Sequence, residues 1–111
     1  MSDCLFCSIA AGDIPADHVI ETEDVVAFND INPAAPTHVL VIPRRHVGSA
    51  QDLENGDAQL LSAMFDVAGR IGRGLEGGWR LVTNVGPDAG QSVFHLHFHV
   101  LGGRELGWPP G

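Results

Sequence analysis

The chain reads His95-Leu96-His97-Phe98-His99-Val100-Leu101 near its end, so that three histidines alternate with large apolar residues. Successive side chains of an extended strand point to opposite faces, so this alternation predicts a strand with all three histidines on one face. Neighbouring imidazoles on that face are about 6.6 Å apart at their Cα atoms, twice the rise per residue. We expect the apolar face to pack in a core and the histidine face to carry chemistry.

The three histidines permit two chemical interpretations. Each imidazole has an ordinary pKa of about 6.5, and charging several of them in one place is mutually repulsive. The histidines could together bind a catalytic metal ion, as in a zinc hydrolase. Alternatively, one of them is a nucleophile that its neighbours orient and stabilise.

A glycine-containing turn precedes the histidines and carries uncharged polar side chains. Gly90 permits close approach of the backbone to a ligand, while Asn84, Gln91 and Ser92 add amide and hydroxyl donors. Such donors suit the non-bridging oxygens of a phosphate. The turn and the histidines together indicate a phosphate held beside an imidazole nucleophile.

Cys4 and Cys7 form a Cys-x-x-Cys pair and are the only cysteines of the chain. A thioredoxin-like redox motif normally follows a strand, and a disulfide across two residues closes too short a loop to stabilise much. Zinc is therefore the better interpretation, and a tetrahedral site needs two further ligands. The candidate ligands away from the presumed nucleophile are His18, His38, His46 and His95.

Length and charge bound the class of protein. The 111 residues suffice for one domain, residues 1–111, with a single hydrophobic core. The formal net charge is −8 and all 6 basic residues are arginines, so nucleic-acid binding is not expected. No apolar run approaches the length of about 20 residues that spans a bilayer, and the N-terminus lacks a signal-peptide pattern. We expect a cytoplasmic protein without a membrane partner.

The pattern of the chain predicts an α+β domain whose antiparallel sheet has about five strands, with one long and one short helix. Apolar residues recur at three- and four-residue spacing from near Asp57 to Gly74, which predicts the long helix. Asp3 is expected to cap the short helix, which ends at Gly12. The predicted strands are Val19–Glu21, Val25–Asn29, His38–Pro43, Arg80–Asn84 and Phe94–Leu101.

Several motifs together give the chain a family resemblance over nearly its whole length. They are Cys4–Cys7, Gly12–Pro15, Ala27–Pro33, Pro36–Pro43, Gly90–Leu101, Leu101–Arg104 and Trp108–Gly111. With them the chain resembles the histidine triad family of nucleotide hydrolases and transferases. The tail is similar to that of the nucleoside phosphoramidase branch, and His99 stands where the uridylyltransferase branch has glutamine.

This resemblance implies a role for each catalytic histidine. His97 is the nucleophile, which attacks the α-phosphorus of a nucleoside 5′-phosphoramidate to give a nucleotidyl-histidine that water hydrolyses. His99, when protonated, neutralises charge on the phosphoryl oxygens, and His38 fixes the tautomer of the nucleophile. His95 belongs to the same proton relay.

The resemblance also implies a purine mononucleotide ligand of the AMP type. The Asp30 carboxylate accepts both ribose hydroxyls. Gln91 and Ser92 contact the phosphate or the leaving group, and Asn84 contacts the phosphate. The base pocket is lined by Phe6, Ile9, Phe28 and Ile31. Judged by residue type alone, Asp30 could equally cap a turn, and the four apolar residues could be ordinary core.

Zinc and a partner subunit follow from the resemblance as well. Zinc-containing bacterial members of the family select His46 and His95 to join the two cysteines in a structural site outside the chemistry. His95 is thereby assigned both to the zinc and to the relay, whereas His18 is left as an ordinary surface residue. A homodimer is implied, in which the tail brings Trp108 to the active site of the other subunit.

Three functions are compatible with the sequence. The first is a hydrolase that acts through nucleotidyl-His97. The second is a zinc-dependent hydrolase with His95, His97 and His99 as the metal ligands, which leaves the cysteines unexplained. The third is a regulatory protein that binds purine nucleotides without turnover.

Overall fold

The framework of the molecule is a five-stranded antiparallel sheet, which the computed structural model describes as part of residues 3–111. The strands are β1 (His18–Glu21), β2 (Val25–Asn29), β3 (Thr37–Pro43), β4 (Trp79–Val82) and β5 (Phe98–Gly102). Their order across the sheet is β1-β2-β3-β5-β4. The helices are α1 (Leu5–Ala10) and α2 (Ala58–Gly72). The predicted α+β fold with one long and one short helix is confirmed.

Two apolar clusters pack on opposite faces of the sheet, which explains why β2 and β3 consist almost entirely of buried residues. Val39 and Val41 of β3 point to the cluster that contains the buried side of α2. Leu40 and Ile42 alternate with them and point to the cluster that contains Phe6 of α1. The sheet therefore separates a core under α2 from a second face covered in part by α1.

The histidine segment keeps the predicted alternation but forms a shorter strand. Leu96, Phe98 and Val100 pack in the cluster under α2, while the rings of His95 and His97 contact Phe6 on the opposite face. The prediction of the faces is confirmed. The predicted strand Phe94–Leu101 is wrong at its start, because pairing between β3 and β5 ends at Val41 and Phe98.

A proline explains where this pairing stops. Continuing the register of β3 and β5 would place Pro43 opposite Leu96, and proline has no N–H to donate to the ladder. The Leu96 N–H instead donates to the carbonyl oxygen of Val47 at 2.6 Å. The chain around His95 is therefore bent and leaves the sheet.

The helix ends also differ in detail from the predicted ones. Asp3 is not the cap of α1, because Cys4 occupies the N-cap and its Sγ accepts the Cys7 N–H at 3.4 Å. Gly12, with a φ of 82°, lies just beyond the helix, which ends at Ala10. Neither helix described within residues 3–111 has the length and apolarity needed to cross a bilayer.

Gly72 permits a close contact between α2 and β4. A Cβ atom built on Gly72 would lie 2.1 Å from Cε2 of Trp79, which is far inside van der Waals contact. The indole therefore occupies the space that a side chain at position 72 would need.

We expect Gly72→Ala to destabilise the protein by about 1–3 kcal/mol, because Trp79 must move to admit the methyl group. Gly69→Ala is the matched control on the same helix, since its Cβ would meet only the Arg73 side-chain tip, at 3.2 Å. Alanine favours a helix over glycine by about 1 kcal/mol, so this control should be neutral or stabilising. Urea unfolding measures both, and equal midpoints for the two variants would contradict the packing.

Candidate active site and metal centre

A cavity of about 380 Å³ opens on the face of the sheet that carries α1. Its size falls within the range of roughly 300–1,000 Å³ that is usual for small-molecule sites. The apolar walls include Leu5, Phe6, Ile9, Phe28 and Leu40. Its polar lining includes Asp30, Ser92, His97 and His99. The cavity thus places an apolar compartment next to a group of histidines.

The ring of His97 is oriented by the backbone just before it. Its Nδ1 lies 2.7 Å from the carbonyl oxygen of His95, and a carbonyl oxygen can only accept a hydrogen bond. The proton of the neutral ring is therefore on Nδ1, and the lone pair is on Nε2. Phe6 packs against this ring edge-on, with centroids 5.1 Å apart. His97 thus lines the cavity as an imidazole whose Nε2 can act as a nucleophile.

A second hydrogen-bond chain fixes the proton of His99. The Ala34 N–H donates to Nδ1 of His38 at 3.0 Å, so the neutral His38 ring carries its proton on Nε2. This Nε2 donates to Nδ1 of His99 at 2.8 Å, which leaves the His99 proton on Nε2. Asp30 Oδ2 lies 3.5 Å from the same His38 nitrogen.

The His99 Nε2–H is a buried donor for which residues 3–111 provide no acceptor. A buried unpaired donor costs about 1–3 kcal/mol, and His99 lines the cavity. An acceptor oxygen of a ligand would recover that cost. The site therefore offers one lone pair, on His97, and one N–H, on His99.

These bonds differ from the roles expected for His38 and His99. The carbonyl of His95, and not His38, holds the tautomer of His97, because the imidazole of His38 is bonded to His99 instead. Burial, with repulsion from the neighbouring histidines, lowers the pKa of His99 to about 4. His99 is therefore neutral at pH 7 and offers the cavity an N–H donor instead of a positive charge.

A second group of side chains brings its ligand atoms together next to Phe6. Its members are Cys4, Cys7, His46 and His95. His95 Nδ1 lies 3.3 Å and 3.4 Å from the sulfurs of Cys4 and Cys7, and 3.2 Å from His46 Nδ1. Ligands of a tetrahedral zinc ion are about 3.3–3.8 Å apart, given the usual Zn–S and Zn–N lengths. The spacing and the Cys2His2 donor set therefore fit Zn²⁺.

The outer nitrogen of His95 supports this assignment. Nε2 lies 2.8 Å from the carbonyl oxygen of Pro43, so it carries the proton and leaves the lone pair on Nδ1. Metal-bound histidines usually donate their second N–H in this way, which fixes both tautomer and orientation.

The alternative metal site, formed by the three histidines of the triad, is not supported. Nδ1 of His97 is bonded to a carbonyl, and Nδ1 of His95 faces the cysteines. Asp30, His38 and His99 also cluster, but the nitrogens of the two histidines are 2.8 Å apart. That is a hydrogen bond, shorter than the separation of about 3.3 Å between two nitrogen ligands of one zinc ion.

Most of the predicted nucleotide contacts lie around the cavity. Phe6, Ile9, Phe28 and Ile31 line it, although Ile31 is 92 % exposed. Asp30 caps the turn, because Oδ1 accepts the Asn32 N–H at 2.8 Å. Its other oxygen, Oδ2, lies 3.5 Å from His38 Nε2, and the binding of ribose by this carboxylate stays a prediction.

Asn84, Gln91 and Trp108 are not among the residues that line the cavity. The Gln91 amide is buried and bonded to backbone: Oε1 accepts the Gly86 N–H, and Nε2 donates to the carbonyls of Gly48 and Val93. It stabilises the turn before the histidines. Trp108 is 82 % exposed and lies 5.9 Å from the Arg80 guanidinium.

Sequence reasoning missed several parts of the site. Leu5, Leu40 and Val93 line the cavity, and alternation along β3 could have indicated Leu40. The carbonyl of His95 and the N–H of Ala34 are backbone groups, for which side-chain identity gives no signal. His18 is exposed and lies 3.2 Å from Glu21, as expected of a surface residue.

The fold and the site define a class of α+β protein in which the lone pair of one imidazole lies beside the buried N–H of another. Residues 11–106 match the model of the HIT domain family, and the chain belongs to this family. It is 44% identical to the "14 kDa zinc-binding protein" of Zea mays over 114 residues, which cover 99% of this chain and 89% of that protein.

Solved structures of the family superpose closely on this chain. A HIT family hydrolase from Legionella pneumophila Philadelphia 1 has a TM-score of 0.94 and 46% identity, covering 98% of this chain and 100% of that one. A histidine triad protein from Clostridium difficile has a TM-score of 0.90 and 42% identity, covering 96% of both chains. The resemblance found in the sequence is therefore confirmed at the level of the family.

Lowering the pH is expected to destabilise the protein through the buried histidines. Burial lowers the pKa values of His95, His97 and His99, so the unfolded state binds more protons below pH about 6.5. Their contribution to stability is fully present above that pH and is lost progressively down to about 4, the pKa of His99.

Urea midpoints at pH 7, 6 and 5 measure this loss, with His99→Gln as the comparison at the same metal content. The variant should lose less stability than the wild type over this range, because one of the three groups is gone. Parallel pH profiles for the two proteins would show that His99 does not resist protonation in the folded state.

Proposed function

We propose that this HIT protein hydrolyses nucleoside 5′-phosphoramidates or related adenosine mononucleotide derivatives through a nucleotidyl-His97 intermediate. The observation that carries the proposal is the pair of fixed tautomers at the polar end of the cavity. His97 offers a lone pair on Nε2 to phosphorus, and His99 offers an N–H to a phosphoryl oxygen or to the leaving nitrogen. The related hydrolase from Legionella pneumophila supports hydrolysis as the reaction class.

The reaction divides into two displacements at the α-phosphorus. His97 Nε2 first forms a bond to phosphorus while the P–N bond to the amine breaks, and the amine leaves with a proton taken from the solvated site. Water then attacks the same phosphorus, the bond to Nε2 breaks, and the nucleoside monophosphate is released. The net reaction consumes one water and returns His97 to its starting tautomer.

The surrounding residues would position the nucleotide for these steps. Phe6 and Phe28 offer aromatic surface to the purine. Oδ2 of Asp30, which lies 3.5 Å from Nε2 of His38, would accept the ribose hydroxyls. The exposed Ser92 lies at the polar end, where its hydroxyl would contact the phosphate or the leaving group. The His97 Nδ1–H bond to the His95 carbonyl stabilises the imidazolium charge that forms on attack.

We also propose that Cys4, Cys7, His46 and His95 bind a structural Zn²⁺. The related maize protein is named for zinc binding, and the donor set fits the ion. Helix α1 has only 6 residues, and a helix this short is not stable by itself in water. The ion would fasten α1, which supplies one wall of the cavity, to the rest of the fold.

The oligomeric state, the location and the class of ligand complete the proposal. A homodimer and a cytoplasmic location stay predictions. A mononucleotide is the proposed ligand, and a net charge of −8 continues to disfavour nucleic acid.

Substituting His97→Ala is expected to lower turnover of an adenosine 5′-phosphoramidate by at least roughly a thousandfold, because the nucleophile is removed. Rapid acid quenching of the wild type should trap an adenylylated protein, and the variant should give none. His18→Gln is the matched control, since it changes an exposed histidine of β1. Equal rates for His97→Ala and wild type would remove His97 from the mechanism, and binding without turnover would favour the regulatory alternative.

Metal analysis of the purified protein should give about one zinc per chain. Cys4→Ser and His46→Gln should each abolish binding, because each removes one of four ligands, while His18→Gln should retain it. The melting temperature should fall with the metal. Protein purified without chelator and found to contain no zinc would reject the site.

A further inference from the structure

His95 takes part in both sites, but through different atoms. Its Nδ1 faces the cysteines and His46, and its Nε2 donates to the carbonyl of Pro43. Its own carbonyl oxygen accepts the Nδ1–H of His97 at 2.7 Å. The side chain can therefore bind a metal while the backbone serves the nucleophile, which resolves the double assignment made from the sequence.

We propose that His95 is a positioning residue for His97 and that metal occupancy of the Cys2His2 cluster controls the reactivity of the nucleophile. The inference rests on the proposed function and extends it, because the zinc then acts on the chemistry and is more than a structural clamp. His95 connects the two sites and is fully buried. Its ring faces the metal cluster, and its backbone carbonyl accepts the hydrogen bond from His97.

The backbone at His95 is outside the hydrogen-bond ladder of the sheet. It lies before β5, where the ladder to β3 has already ended, and its neighbour Leu96 donates one hydrogen bond to Val47. The ring of His95 has one bond, to Pro43, outside the cluster. A metal on Nδ1 would anchor the ring at both nitrogens, and a side chain held at two points restrains the Cα atom and the peptide that carries the carbonyl.

A second contact acts in the same direction. Phe6 lies between the two cysteines in sequence, and its ring packs edge-on against both His95, at 6.0 Å, and His97, at 5.1 Å. A metal that holds both ends of the first turn of α1 also holds Phe6 against the nucleophile. The same cluster would thus hold both groups that orient His97, namely the carbonyl of His95 and the ring of Phe6.

The expected consequence is a change in tautomer. Without the bond to the His95 carbonyl, the neutral imidazole of His97 can carry its proton on either nitrogen, and a proton on Nε2 removes the attacking lone pair. Loss of metal should therefore populate an inactive tautomer. A merely structural zinc would lower stability without changing the tautomer in the protein that remains folded.

The test compares wild type loaded with zinc, the same protein after chelation and after reloading, and two variants that lose a ligand. His46→Gln changes an exposed residue that does not line the cavity. Cys4→Ser keeps the N-cap of α1, because a serine oxygen also accepts the Cys7 N–H. His18→Gln is the control that leaves both sites intact. Ring nitrogen NMR of His97 reports the tautomer, and single-turnover quenching reports adenylylation.

The zinc-loaded protein should show one His97 tautomer, with the proton on Nδ1. Chelation and both variants should give a mixed population and at least tenfold slower adenylylation, and reloading should restore wild type only. An unchanged tautomer with rates within twofold in folded, metal-depleted protein would overturn the inference, as would the absence of bound metal. If no adenylyl-protein forms even with zinc while the tautomer still follows the metal, the proposed reaction fails and the coupling stands.

Discussion

A carbonyl oxygen accepts hydrogen bonds and never donates them, and in this protein that constraint sets the chemistry of the site. The carbonyl of His95 holds the proton of His97 on Nδ1. The lone pair is thereby left on the nitrogen that can attack phosphorus. The Ala34 N–H donates to Nδ1 of His38, and Nε2 of His38 donates to Nδ1 of His99. The proton of His99 is therefore on Nε2. Two neutral rings thus present opposite groups to the cavity, because Nδ1 of His97 donates to a backbone carbonyl whereas Nδ1 of His99 accepts from His38.

Burial keeps His97 and His99 in these neutral tautomers near pH 7. Desolvation lowers the pKa of His97 and of His99. Both imidazoles are therefore neutral near pH 7. A neutral N–H can bind an anionic oxygen without a positive charge in the site. The unpaired donor on His99 is in turn a reason for the cavity to bind an oxyanion.

The sequence predicted the elements that depend on side-chain pattern and missed those that depend on backbone groups. Alternation gave the faces of the histidine segment, and helical spacing gave α2 within two residues at each end. The start of β5 was missed because it depends on Pro43, a residue of another strand. Gln91 was predicted to offer its amide to a ligand, yet that amide is bonded to three backbone groups. The convergence of Cys4 with His95 came from family resemblance, since 91 positions separate them.

A crystal structure with a bound non-hydrolysable adenosine 5′-phosphoramidate analogue would show whether His97 faces the phosphorus. We expect the α-phosphorus about 3–3.5 Å from Nε2 of His97, in line with the leaving nitrogen, and a phosphoryl oxygen within hydrogen-bond distance of Nε2 of His99. A phosphate bound away from these two nitrogens, or a cation coordinated by Nε2 of His97, would contradict it.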